Sequence, residues 1–155
     1  MQESSLHQTL KEDLKEALRA GDKSRVGIVR LVLAGIKNAE IDQGGPLDDA
    51  GVVAVLSKEA KRHRESIEAF KKGNRQDLVS KEEAELAVVL EYLPKQMSRE
   101  EIIEAANRAI EAAGAKGPAD KGKVMGRLMA EVKGKADGQQ VNAIVSELLA
   151  GKTRG

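Results

Sequence analysis

The chain has 155 residues, 41% of them hydrophobic and 33% charged, a length for one domain or two small ones and a balance too apolar for disorder and too charged for a membrane protein. It holds no cysteine, and Phe70 and Tyr92 are its aromatic residues, which excludes disulfides, zinc knuckles and iron–sulfur clusters and argues against base-stacking platforms of the RRM or OB type. The formal net charge is +1, and no stretch reaches the roughly 18 apolar residues that span a bilayer.

The N-terminal segment from Met1 to Leu18 is polar and amphipathic, without the apolar run of a signal peptide, so a cytoplasmic location is expected. Periodicity predicts helices throughout and no strand. The first runs from about Leu6 to Ala20, with Leu6, Leu10, Leu14 and Leu18 as one apolar stripe and Gly21 as its stop. Asp22 caps a second helix to about Asp42, with Val26, Val29, Val32, Leu33 and Ile36 on one face. Gln43-Gly44-Gly45-Pro46 is a turn, because glycine frees φ and proline blocks a continuing helix. Asp48 or Asp49 caps a third helix to about Lys72, and His63 falls on its apolar face with Leu56, Ala60 and Ile67. A fourth runs from about Gln76 to Tyr92, acidic in the middle and apolar at its end, and Pro94 terminates it.

Ser98-Arg99-Glu100-Glu101 has the S-x-x-E pattern of a capping box. It starts a fifth helix, to about Ala113. A loop over Gly114–Pro118 leads to a sixth from about Ala119 to Val132, and a second loop over Gly134–Gly138, with Asp137 as cap, leads to a seventh ending at Leu149. The expected architecture is all-α: an N-terminal four-helix unit (residues 1–96), a small C-terminal three-helix bundle (97–150) and a frayed tail (151–155).

Several strings go further than periodicity. The run LKEALRAGDK (Leu14–Lys23), Arg30-Leu31, IKNAE (Ile36–Glu40), KEEAEL (Lys81–Leu86) and LEYLPKQ (Leu90–Gln96) resemble the YqeY family in order and spacing. So do GKVMG (Gly122–Gly126), GKADG (Gly134–Gly138) and Val141-Asn142. The resemblance covers essentially the whole chain. It implies a stand-alone relative of the C-terminal region of GatB, the amidotransferase subunit whose tail helps to hold tRNA while amidation occurs on other domains. The family's common label, carbon–nitrogen ligase with glutamine as amide donor, belongs to that whole complex.

Two readings of Gly122 and Gly126 stand side by side. Glycine inside a helix costs about 1 kcal/mol relative to alanine, and close approach of another backbone is a reason to carry it. That backbone is either the seventh helix or an RNA sugar-phosphate strand. Residues 116–155 carry eight Lys and Arg against four Asp and Glu, a mild basic bias able to meet phosphate. The expected tRNA-contacting set is Lys121, Lys123, Arg127, Lys133, Lys135 and Asn142, with Gly122, Gly126 and Gly134 as places of backbone approach.

The basic run Lys61–Arg64 points around most of a helix and reads as a solvated face, with Lys61–Glu65 and Arg64–Glu68 as supporting i,i+4 pairs. His63 reads as a packed histidine, and Glu82, Glu83 and Glu85 as an ordinary charged face rather than acid–base carboxylates or a Mg²⁺ site. Tyr92 reads as architectural, its hydroxyl reaching a polar partner, and Met125 and Met129 as core. The H-E-x-x-H, G-x-x-x-x-G-K-S/T, G-x-S-x-G and G-x-G-x-x-G motifs are missing from the sequence, so no catalytic residue, cofactor or metal is expected. The expected function is a non-catalytic accessory protein that binds tRNA, an aminoacyl-tRNA synthetase or an amidotransferase, with no role on membranes or DNA. The alternatives are a protein-interaction scaffold and a glutamine-dependent amidotransferase activity.

Overall fold

The computed structural model describes residues 4–154, the side chains of 152–154 excepted. Among the described residues there are seven α-helices, one 3-10 turn and no strand. The chain divides into two compact units, Met1–Pro94 and Lys95–Gly155.

The first unit contains α1 (Ser5–Ala20), α2 (Lys23–Gln43), α3 (Asp49–Lys72) and α4 (Gln76–Glu91). Their ends follow from capping chemistry. Ser4 Oγ accepts the amide of His7, Asp22 accepts that of Arg25 and Asp48 that of Gly51, each satisfying an N–H that the first turn leaves without a partner. Gly21 closes α1 in the left-handed region at φ 71°, which lets Asp22 N–H reach Ala17 O at 3.0 Å. Asp49, one residue past the cap of α3, holds the start of α1. It accepts from the hydroxyls of Ser4 and Ser5 and from Leu6 N–H.

The core of this unit is aliphatic, built on Leu10, Val29, Val32, Ile36, Val52 and Leu56, all at most 2% exposed. Truncating one of these leucines to alanine removes buried methyl groups and leaves a cavity, a loss of about 2–5 kcal/mol. The stripe expected on α1 is shorter than its sequence spacing: Leu6 and Leu14 pack against the core, but Leu18 is 50% exposed. On α2 the core also takes Ile28, which the expected face omits. Tyr92 packs its ring against this core and donates its hydroxyl to Asp13 Oδ2 at 2.6 Å. Arg25 on α2 reaches Glu91 at the end of α4 at 2.8 Å.

The second unit contains α5 (Arg99–Ala113), a 3-10 turn (Pro118–Asp120), α6 (Lys121–Val132) and α7 (Gly138–Arg154). Ser98 and Glu101 form the capping box in full: Glu101 N–H donates to Ser98 Oγ, and Ser98 N–H to Glu101 Oε1, both at 3.2 Å. Its core is packed from Ile102, Ala106, Val124, Leu128, Ile144 and Leu149, with Met125 and Met129 against the edge of it. Small alanines on α5 let the three helices close on one another without aromatic side chains. Residues 118–120 form the 3-10 turn, so α6 begins at Lys121 instead of Ala119. The last helix continues through 151–154, residues expected as a frayed tail. A single glycine at 151 weakens a helix by about 1 kcal/mol without stopping it. Gly155 lies outside the described residues. No described helix is long and apolar enough to cross a membrane.

Candidate nucleic-acid interface

The face of α6 that packs inward is made by Val124, Leu128 and Val132, each 0% exposed. At 100° per residue, the side of α6 opposite this face holds positions 122, 123, 126 and 130. These are Gly122, Lys123, Gly126 and Ala130, and all four are exposed. Apart from Lys123, the outer side of the helix is therefore nearly bare backbone. A Cβ built on Gly122 or on Gly126 would meet nothing within 4 Å. Among the described residues, the seventh helix does not approach either glycine, and none supplies an intramolecular reason for carrying them.

Lys123 and Arg127 are one turn apart and flank this smooth strip on one side, both exposed. Lys123 Nζ lies 3.9 Å from Asp120 Oδ1, with its side chain 74% exposed, a contact too open and too long to hold the ammonium. Lys133, just past the helix, is also exposed, and by helical register it falls on the other margin of the strip, about 120° around the axis from Arg127.

The remaining expected residues are dispersed. Lys121 lies seven positions before Leu128, on the inward side of α6, and is half-buried. Lys135 lines a cleft of about 370 Å³ with Lys95, Glu101, Glu104, Arg108 and Glu131, where carboxylates offset its charge. Asn142 is exposed on α7. Gly134 has a local explanation: it is buried, with φ 78° in the left-handed region, and its carbonyl accepts from Gln96 Nε2 at 2.9 Å. It leaves α6 in the geometry that brings Lys135 O to the amide of Met97 at 2.8 Å. No outside backbone is needed to account for it.

The starts of α6 and α7, attractive for phosphate from sequence alone, each carry their own carboxylate. Asp120 accepts the amide of Lys116 at 3.0 Å, and Asp137 that of Gln139 at 3.3 Å. An incoming phosphate there meets negative charge. The outer strip of α6 does not have this obstacle.

One further cluster joins His63, packed as its apolar-face position predicts, to Glu82 and Glu85, which are not the ordinary charged face that their sequence suggests. His63 is buried, at 5% exposure. Its Nδ1 lies 2.6 Å from Glu82 Oε2 and 3.7 Å from Glu85 Oε2. Its Nε2 lies 3.5 Å from Glu59 Oε1. Glu82 and Glu85 are half-buried against this imidazole, while Glu83 is exposed. The i,i+3 spacing of Glu82 and Glu85, and of Glu59 and His63 one residue wider, were visible signals. That the two pairs face each other depends on the register of α3 against α4.

The Yqey-like protein family model matches residues 7–149. The chain is 33% identical over 147 residues to the "Altered inheritance of mitochondria protein 41, mitochondrial" of Pyrenophora tritici-repentis, covering 92% of this chain and 80% of that one. Proteins of the same name from Lachancea thermotolerans and Eremothecium gossypii are 46% and 42% identical over 85 residues, 54% of this chain. Those matches span 46% of the two yeast proteins, about half their length.

Proposed function

This chain belongs to the Yqey-like family, and from that premise we propose that it is a non-catalytic accessory protein that binds tRNA, alone or within a tRNA-handling complex, along the outer face of α6. The observation that carries the reading is the bare strip at Gly122 and Gly126, exposed and with nothing near a would-be Cβ. Each of these glycines lowers helix stability relative to alanine, and the fold gains no packing from them. An external backbone running close along the helix supplies the missing reason.

The chemistry of the strip suits a sugar-phosphate backbone. Lys123 and Arg127 provide cations at one margin, and the small residues allow sub-side-chain approach. RNA helices offer a shallow minor groove lined with 2′-hydroxyls and phosphates, which such a smooth helix can follow. The scarcity of aromatic residues favours contact through backbone and shape over stacking on splayed bases. The resemblance to the tRNA-holding tail of GatB points the same way. In this reading the four helices of the first unit are scaffold, and the three-helix second unit is the RNA-facing part. The cytoplasm is the compartment proposed from sequence. The relatives carry "mitochondrial" in their names, and the mitochondrial matrix also handles tRNA.

The test is binding of bulk tRNA by the full chain at rising salt. Each neutralised phosphate contributes a slope of about −0.7 to −0.9 in log K against log[salt]. Lys123→Glu with Arg127→Glu is expected to lower both affinity and slope, and Lys135→Glu, in its mixed cleft, to change neither. Equal effects of the two changes would show that general charge, not the α6 face, governs binding.

A further inference from the structure

We infer that His63, Glu82 and Glu85 form a binding site for a divalent first-row transition-metal ion of the zinc class, held between α3 and α4 of the first unit. The inference is independent of RNA contact by α6. Three features carry it: the ligand geometry, the charge around a buried imidazole, and an orphaned ring nitrogen.

One ligand atom from each of the three residues lies within 4.8 Å of the other two. Tetrahedral ligands of zinc sit about 2.0–2.1 Å from the ion, hence about 3.3 Å from one another. The separations of His63 Nδ1 from the carboxylates, 2.6 and 3.7 Å, bracket that value. The side chains project from two packed helices, so small rotations of the glutamates complete the set without backbone movement. Glu82 and Glu85 retain 19% and 17% side-chain exposure, which leaves an ion a path from solvent and room for a water as fourth ligand.

Three carboxylates, Glu59, Glu82 and Glu85, converge on an imidazole that is 5% exposed. The positive charges at their outer edge are weakly engaged: Arg62 stands 3.5 Å from Glu59 and Lys81 4.0 Å from Glu85, with their side chains 64% and 69% exposed. Partly buried negative charge of this density calls for a cation inside it.

His63 Nε2 is buried and makes no hydrogen bond, although it faces Glu59 Oε1 at 3.5 Å. A metal on Nδ1 leaves the ring proton on Nε2, directed at Glu59. A carboxylate behind the far nitrogen of a ligating histidine is the arrangement that fixes its tautomer and raises its basicity. One imidazole with two carboxylates favours zinc, manganese or ferrous iron over magnesium, which prefers an all-oxygen octahedron with several retained waters.

The experiment uses the full chain stripped with a chelator and then titrated with Zn²⁺ and with Mg²⁺ in a competitive chromophoric assay. One equivalent of zinc per chain is expected, with affinity lowered at least 100-fold by Glu82→Gln or Glu85→Gln and unchanged by Glu83→Gln. Circular dichroism checks that these near-isosteric variants keep their helices. Nitrogen-detected NMR of the unaltered chain gives an independent readout: zinc should hold His63 as the Nε2-protonated tautomer with a shifted Nδ1 resonance. Failure of zinc to saturate a single site, binding that survives both glutamine variants, or equal affinity for Mg²⁺ would each overturn the proposal. So would a His63 that remains a doubly protonated imidazolium at saturating zinc, since the cage cation would then be a proton.

Discussion

His63 Nδ1 lies 2.6 Å from Glu82 Oε2, across 19 positions of sequence, and joins α3 to α4. In chelator, with no metal present, the contact is a charge-assisted hydrogen bond to a buried ring. Glu82→Ala removes it and leaves Glu85 at 3.7 Å as the nearest partner of Nδ1. The expected loss is about 2 kcal/mol, read from the urea midpoint, with the exposed Glu83→Ala within about 0.5 kcal/mol of the parent. Equal, small effects at both positions would show that the pair is incidental.

Asp49 ties the start of α1 to the start of α3 through Ser4, Ser5 and Leu6. The Ser4 hydroxyl, ahead of the Leu6 amide, holds its carboxyl below its ordinary value of 3.8. A depressed folded value means that this contribution is present above pH 3.8 and is lost as pH falls through the lower folded value. Asp49→Ala is therefore expected to speed hydrogen exchange in the first turn of α1 at pH 6. The difference from the parent should shrink once pH drops below 3.8.

Tyr92 titrates in the opposite sense. Burial, reinforced by the Asp13 carboxylate that its hydroxyl contacts, pushes it from 10.0 up to about 12. The folded state thus favours the protonated phenol. That stability is complete below pH 10.0 and is lost as pH rises toward about 12. The parent chain should lose stability over this window more steeply than Tyr92→Phe. At neutral pH the phenylalanine variant should be weaker by about 1 kcal/mol, because the hydroxyl–Asp13 bond is gone. Parallel alkaline profiles would contradict the assignment.

The α6 glycines make a prediction about stability that runs against function. Gly126→Ala is expected to stabilise the second unit by about 1 kcal/mol, since the new methyl group enters open space. Gly122→Ala, in the first turn, should gain less. A destabilised variant in thermal melts would mean that something does pack against this face.

Helix identity and most helix ends were legible because their signals are local. Gly21, Gly44 and Gly114 all take left-handed φ at the ends of their helices, and Asp22, Asp48 and Ser98 cap the starts that follow a turn. Burial was less legible. Leu18 continues the spacing of α1 yet is 50% exposed, while Ile28 is buried outside the expected stripe of α2. Which part of an apolar face is covered depends on helix length and crossing point, and these are tertiary quantities. The expected RNA-contacting set was a list of nearby basic residues. Lys123 and Arg127 share one flank of α6, but Lys133 falls on the other, Lys121 turns inward and Lys135 enters a cleft with three glutamates. Gly134 is of the same type as Gly122 and Gly126, and its positive φ separates it from them. The inward face of His63 is legible from its spacing, but two of the three carboxylates that meet it, Glu82 and Glu85, come from another helix.

The most direct test of the tRNA reading changes shape without changing charge. Gly122→Gln with Gly126→Gln keeps the net charge, favours the helix and fills the bare strip with two side chains. Fluorescence anisotropy with labelled bulk tRNA at low salt would be compared for this variant and the parent. Salt-sensitive binding by the parent is expected, with at least a 10-fold loss in the variant and the second unit as stable as before or more so. Undiminished binding by a well-folded variant would contradict the claim that an RNA backbone lies along α6.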